Sequence, residues 1–177
     1  VRQQYFEGEK VSKDFPVTDV TEEPADRVDP FTGMPYSDQM ARLGLQEGGP
    51  PDYQSLGMPY TDDPFIAKII GVESSGIVDR VSPVGAKGLM QIMPNTAAQP
   101  GFGVKPFHGD NLFDVQENVR FGTDYIYALT DKLGNKRDAA IAYNWGYGNT
   151  KKWLEQGADL NKLPKETRNY IRKLELD

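Results

Sequence analysis

Glu73 stands on the apolar stripe of a short segment, Pro64–Ser75, which reads PFIAKIIGVESS. Ile66, Ile70 and Glu73 fall at i, i+4 and i+7, so a helix projects all three from one face, with Ile69 beside them. Asp62 or Asp63 can cap that helix, Pro64 suits its first turn and Gly76 can end it. A carboxyl group placed there is expected to be buried and to face the negative end of the helix dipole. Both effects disfavour the ionised form and push its pKa upward. An acid that keeps its proton near neutral pH is what general-acid cleavage of a sugar–sugar bond needs. The alternative from position alone is a partly exposed Glu at a helix end.

The residues that follow narrow the choice. After the Glu73-Ser74 pair the chain carries GLMQI (Gly88–Ile92), then AYNWGYGN (Ala142–Asn149), then PKETRNYIRKL (Pro164–Leu174), with LFDVQENVRFGTDYI (Leu112–Ile126) between GLMQI and AYNWGYGN. In that order and at domain-scale spacing these blocks are a specific signal. From Pro64 to Leu174 the chain resembles the catalytic domain of the soluble lytic transglycosylases, goose-lysozyme-like enzymes that cut the peptidoglycan glycan strand. The resemblance implies a single-acid site without cofactor or metal. Most glycosidases need two carboxyl groups, yet the loop Ser82–Lys87 holds no acid, and Asp79, the nearest in sequence, reads as a solvated loop residue.

Roles carried over from the resemblance fall on individual positions. Glu73 is the expected catalytic acid, and Ser74 is expected to orient its carboxyl. Gln91 offers an amide suited to an N-acetyl group, while Leu89 and Met90 are expected to line the sugar subsite; core packing is the competing use of this block and fits Leu89 and Ile92. Tyr143 and Asn144 are expected to reach the catalytic Glu and the substrate. Tyr170 is expected to bring its hydroxyl near Glu73, and Glu166 matches a late Glu linked to stem-peptide recognition. Trp145 and Tyr147 depart from the family pattern, which has small residues or Pro there. Either they stack on sugar faces or they pack against the N-terminal segment.

These side chains must be positioned by a mainly α, lysozyme-like α+β domain with a small β element beside the cleft. Periodicity and caps predict helices over Pro64–Ser75, from about Pro94, over Asp114–Leu133, Arg137–Asn144, Asn149–Gln156 and Lys165–Leu174. The long helix has Val115, Val119, Gly122, Ile126, Leu129 and Leu133 as its inner stripe. Val78–Lys87 reads as a loop or short hairpin, marked by Ser82-Pro83 and Gly85.

The chain of 177 residues divides by composition. Residues 1–62 carry 5 Lys+Arg against 12 Asp+Glu and 7 Pro, whereas residues 63–177 carry 15 against 14. The first part is therefore expected to be an extended acidic docking or linker segment, and residues 63–177 the catalytic domain. GMPYSD (Gly33–Asp38) recurs as GMPYTD (Gly57–Asp62). The pair reads as two similar Pro-containing turns or as two equivalent docking motifs.

Cysteine is absent and His108 is the single histidine, in a surface loop, which makes zinc improbable. No apolar run has the length of a membrane span, and the N-terminus lacks the apolar stretch of a signal peptide. Those features fit a phage virion enzyme that acts on the cell wall in the periplasm during genome delivery, with residues 1–62 contacting other virion proteins. A periplasmic bacterial enzyme is the alternative location. A structural virion protein with a non-catalytic, glycan-binding lysozyme-like domain is the alternative function. Lys151-Lys152 and Arg172-Lys173 read as solvated helix faces, so no nucleic-acid partner is expected.

Overall fold

The computed structural model describes residues 52–177. Their first helix, α1 (Tyr53–Gly57), is capped by the Asp52 side chain, which accepts from the Ser55 amide. It lies directly on the next helix, α2 (Pro64–Ser74). A Cβ on Gly57 would run into the Ala67 main chain, and one on Gly71 into that of Tyr53. The two backbones touch, and only glycine allows that approach. Tyr60 adds a hydroxyl that donates to the Gly76 carbonyl at 2.9 Å. The expected boundary at 62/63 thus falls inside a packed unit. A five-residue helix is too short to show a period, so nothing in the pattern of residues 53–57 announced it. The GMPYTD copy supplies Gly57, Tyr60 and Thr61 to this contact, the last accepting from the Asp63 amide; GMPYSD lies outside the described residues.

Helix α2 begins as expected. The Asp63 carboxylate accepts from the amides of Phe65 and Ile66, and Pro64 fills the first turn. Its last turn closes on Ser75, which takes the left-handed cap conformation itself (φ 56°) one residue before Gly76. Ile66, Ile69 and Ile70 are fully buried.

The chain then turns through residues 76–92, where the β element consists of two isolated antiparallel bridges, Val81 to Lys87 and Lys87 to Ile92. Gly85, Gly88 and Gln91 all have positive φ, so the backbone reverses every three residues and no ladder can extend. Five helices follow: α3 (Pro94–Ala98), α4 (Val115–Leu133), α5 (Lys136–Trp145), α6 (Tyr147–Glu155) and α7 (Lys165–Lys173), with a 3-10 turn at Leu160–Lys162. Asp114 caps α4 and Asn135 caps α5, each accepting an amide hydrogen bond three residues on. The inner face of α4 is Asn118, Phe121, Gly122, Ile126 and Leu129, while Val115, Val119 and Leu133 are half-buried at its margins. Helix α5 carries the buried run Ala139–Ala142 and packs on α4, α6 and α7. Small residues there let three neighbours close around it. The core joins Ile66 and Ile70 of α2 with Met90, Phe121, Ile126, Leu129, Ile141, Trp153 and Ile171. Among the described residues no helix is long and apolar enough to cross a membrane.

Candidate active site

Glu73 lies in the last turn of α2, facing α7. Its Oε1 accepts a hydrogen bond from the Tyr170 hydroxyl at 2.7 Å. Part of its surface stays open to solvent, yet its carboxyl sits deep enough for burial to dominate its titration. Burial pushes the pKa up from 4.5 to about 7, and the negative charge of Glu166 pushes the same way. The Tyr170 hydroxyl and the cations of Arg80 and Lys173 pull against that rise without cancelling it. Tyr143 and Tyr170 are themselves raised well above the ordinary phenol range, first by burial and then by the Glu73 charge. Both therefore remain hydrogen-bond donors at any working pH. The Tyr170 hydrogen bond to Glu73 occupies one carboxyl oxygen of an acid that can give up a proton and later take one back.

The other side of the site is the turn Lys87–Ile92. Tyr143, near the end of α5, donates its hydroxyl to the Met90 carbonyl at 2.8 Å, so it braces this turn while lying within the field of Glu73. Gln91 is left-handed (φ 49°), and its amide nitrogen donates to the carbonyls of Arg80 (3.2 Å) and Gly88 (2.9 Å). That amide nitrogen is committed to the loop, leaving the amide oxygen for an N-acetyl N–H.

Asn118, on α4 and 1 % exposed, holds the turn from below. Its side-chain oxygen accepts from the Met90 amide (2.8 Å), and its nitrogen donates to the carbonyls of Lys87 (3.1 Å) and Leu112 (2.8 Å). Sequence reasoning assigned Asn118 no role. A polar residue on the inner stripe of α4, one turn before Gly122, was the available signal.

Three expectations are corrected. The Ser74 hydroxyl donates to the Ile70 carbonyl one turn back (3.0 Å) and is fully buried, so it does not orient the carboxyl. One step along a helix turns a side chain by about 100°, which takes Ser74 off the face Glu73 occupies. Leu89 and Met90, at 1 % and 0 % exposure, are core residues whose side chains do not line a sugar subsite. Gly122 leaves the space that the Met90 side chain fills; a Cβ there would collide with it. Of the remaining positions, Asn144 and Trp145 are half-buried at the end of α5, Tyr147 is half-buried at the start of α6, and Glu166 is exposed on α7. Asp79 is exposed in its loop.

Helical and almost strandless, with a carboxylic acid closed in by two tyrosines at a helix end, the molecule has a lysozyme-like fold. The chain belongs to the transglycosylase SLT domain family, which it matches over residues 54–164. It is 34% identical over 145 residues to the soluble lytic murein transglycosylase of Salmonella typhimurium, covering 72% of this chain and 22% of that protein. A transglycosylase of Enterobacteria phage PRD1 is 35% identical over 88 residues, 49% of this chain and 31% of that one. Among solved structures, the 70 kDa soluble lytic transglycosylase of Escherichia coli superposes with a TM-score of 0.56 at 28% identity, over 78% of this chain and 24% of that chain. An inactive glutamate-to-glutamine mutant of the Pseudomonas aeruginosa enzyme Slt gives 0.54 at 26% identity, over 78% and 22%. The chain thus spans between a fifth and a third of the length of the relatives it matches.

Proposed function

We propose that this chain is a peptidoglycan lytic transglycosylase with Glu73 as its one catalytic acid. The observation that carries the reading is Glu73 itself, held by Tyr170 and near a pKa of about 7. Glu73 protonates the oxygen between N-acetylmuramic acid and N-acetylglucosamine, and the C1–O bond breaks. The substrate's 2-acetamido oxygen relieves the positive charge left at C1. Glu73, now a carboxylate, takes the proton from the C6 hydroxyl, and that oxygen bonds to C1. The product is a 1,6-anhydro sugar, Glu73 has recovered its proton, and no water is consumed. A pKa between that of a free carboxylic acid and that of a strong base suits a group that must act in both directions. That a glutamate-to-glutamine mutant of the Pseudomonas aeruginosa enzyme Slt is inactive supports a glutamate as the acid. Gln91, Asn144, Trp145, Tyr147 and Glu166 form the proposed substrate surface. Mass spectrometry of purified peptidoglycan after digestion tests the reading. Anhydro-muropeptides are expected; reducing ends would make the chain a lysozyme, and an unchanged digest would support a non-catalytic, glycan-binding virion protein.

The place of action proposed is the bacterial cell wall during phage genome delivery. The phage PRD1 relative supports it, as does the acidic composition N-terminal to the packed unit. Residues 1–51, with 5 Lys+Arg against 10 Asp+Glu, are the segment proposed to contact other virion proteins. Detection of the chain in purified particles by immunoblot is the matching test, and its absence there would favour a periplasmic enzyme.

A further inference from the structure

The loop joining α3 to α4 holds an aromatic ring in a backbone conformation that the core does not require. Phe102 has φ 53°, between Gly101 at 70° and Gly103 at 77°, so three consecutive residues are left-handed. Glycine takes that conformation freely, but a residue with a Cβ is strained there by about 1–2 kcal/mol. Phe also lacks the short polar side chain by which Asn or Asp relieves the strain. Burial compensates only in part, because Phe102 is 40 % exposed. A strained and exposed ring of this kind points to a role outside the folded core.

The ring leads into the active site. It meets Tyr147 edge-on with centroids 4.9 Å apart and lies 6.1 Å from Tyr125. Tyr125 in turn meets Tyr143 edge-on at 5.8 Å, and Tyr143 braces the turn beside Glu73. Tyr147 and Phe102 are paired at the outer end of a row that continues through Tyr125 to Tyr143, which lies within the field of Glu73.

We propose that Phe102 and Tyr147 form an outer sugar platform, on which an N-acetylhexosamine of the glycan strand lays its apolar C–H face, remote from the bond being broken. An edge-to-face pair leaves ring surface uncovered, and a pyranose offers a flat apolar face bounded by polar groups, the complement of an exposed aromatic. Continuity of the row with Glu73 makes the glycan strand the occupant. The inference rests on the glycan-cleaving reading above and extends it from the group that cuts to the groups that select strand length.

Binding can be measured apart from cleavage, using calorimetric titration of chito-oligosaccharides into the Glu73→Gln protein. Phe102→Asn removes the ring and tolerates a left-handed backbone; Phe102→Trp keeps an aromatic face. With Phe102→Asn, long oligosaccharides are expected to bind roughly three- to tenfold more weakly. Oligosaccharides too short to reach the loop should be unaffected, the Tm should stay level or rise, and Phe102→Trp should retain tight binding of the long ones. Equal affinity of the parent and Phe102→Asn proteins for the long oligosaccharide would overturn the proposal. So would an equal loss at both lengths with a lowered Tm, which marks a structural ring. Failure of either length to bind the parent would also overturn it, and would turn the exposed ring toward a protein contact. Length-dependent loss at Phe102 in a chain whose unmutated form releases no anhydro-muropeptides would leave the platform standing and remove the enzymatic reading.

Discussion

Glu73→Gln separates chemistry from folding, because it keeps the size of the side chain and removes both its charge and its transferable proton. In the folded protein burial holds the carboxyl at about 7, against an ordinary value of 4.5. Between those two pH values the folded state keeps a proton that the unfolded chain has released. Wild-type stability therefore falls as pH rises from about 4.5 to about 7 and is level on either side. At about 1.4 kcal/mol per pH unit the gap is worth roughly 3 kcal/mol. That figure already includes the stronger hydrogen bond that Tyr170 gives to a carboxylate, so the gain from Gln at high pH is of the same size. At roughly 2–4 °C per kcal/mol, Glu73→Gln should melt roughly 5–10 °C higher than wild type at pH 8 and at the same temperature at pH 4. Scanning calorimetry at the two pH values reads this directly. A Tm difference of equal size at both, or a Gln protein less stable at pH 8, would refute the picture of a carboxyl kept protonated by burial. Turbidimetric clearing of cell walls by the same samples should drop at least about a hundredfold. Clearing retained by the folded variant would refute the single-acid mechanism.

The other expected outcomes follow from the same contacts. Tyr170→Phe removes a hydrogen bond that lowers the Glu73 pKa, so the alkaline limb of the kcat/KM profile should move to higher pH while kcat falls; a limb that stays put would detach Tyr170 from the carboxyl. Asn118→Ala leaves the Met90 amide and the Leu112 carbonyl without their partner, while the Lys87 carbonyl keeps the Ile92 amide, at about 1–3 kcal/mol for each buried group left unsatisfied. Urea denaturation should show a loss of several kcal/mol, and a loss under about 1 kcal/mol would mean the turn holds without it. A protein beginning at Asp52 should fold and cleave peptidoglycan, while one beginning at Thr61 should melt markedly lower for want of α1 and the Tyr60–Gly76 contact. Equal melting temperatures would place α1 outside the cooperative unit.

The sequence announced the helices that carry their own punctuation. Asp62 or Asp63 ahead of Pro64 offered a cap and Asp63 provides it, while the periodic segments expected from Asp114 and Arg137 begin at Val115 and Lys136, behind the caps Asp114 and Asn135. Glu73 was legible for a similar reason, since Ile66 and Ile70 on the same face oblige it to enter the core. What stayed hidden depends on contacts between distant parts. No local pattern reveals that Gly57 and Gly71 are there for backbone approach, or that Met90 fills the hollow at Gly122. Ser74 was misjudged because adjacency in sequence is not adjacency on a helix surface. Phe102 gave a composition signal only, a bulky residue between two glycines, whose meaning needed the left-handed φ and the Tyr147 ring beside it.

The contacts that fix α2 also determine what its pH response can report. The helix is gripped at both ends by tyrosines from other helices. Tyr127 donates to the Asp63 cap at 2.5 Å, and Tyr170 donates to Glu73 at 2.7 Å. In the proposed reaction Glu73 first protonates a bridging oxygen and then deprotonates a hydroxyl of the same substrate, which leaves little tolerance for sliding along the helix axis, since misplacement by about 1 Å can cost about a hundredfold in rate. The clamp must therefore survive the pH range in which the acid titrates. Its hydrogen bond to Asp63, with burial adding, pushes Tyr127 up to about 12. Burial works to raise Asp63, but the Tyr127 hydroxyl and the Ile66 and Phe65 amides together hold it below the usual carboxylate range. Tyr170 is held well above the phenol range. Of these four groups Glu73 alone changes charge near neutrality, so the alkaline limb of an activity profile is expected to measure the proton on the Glu73 carboxyl and not the loosening of the helix that carries it.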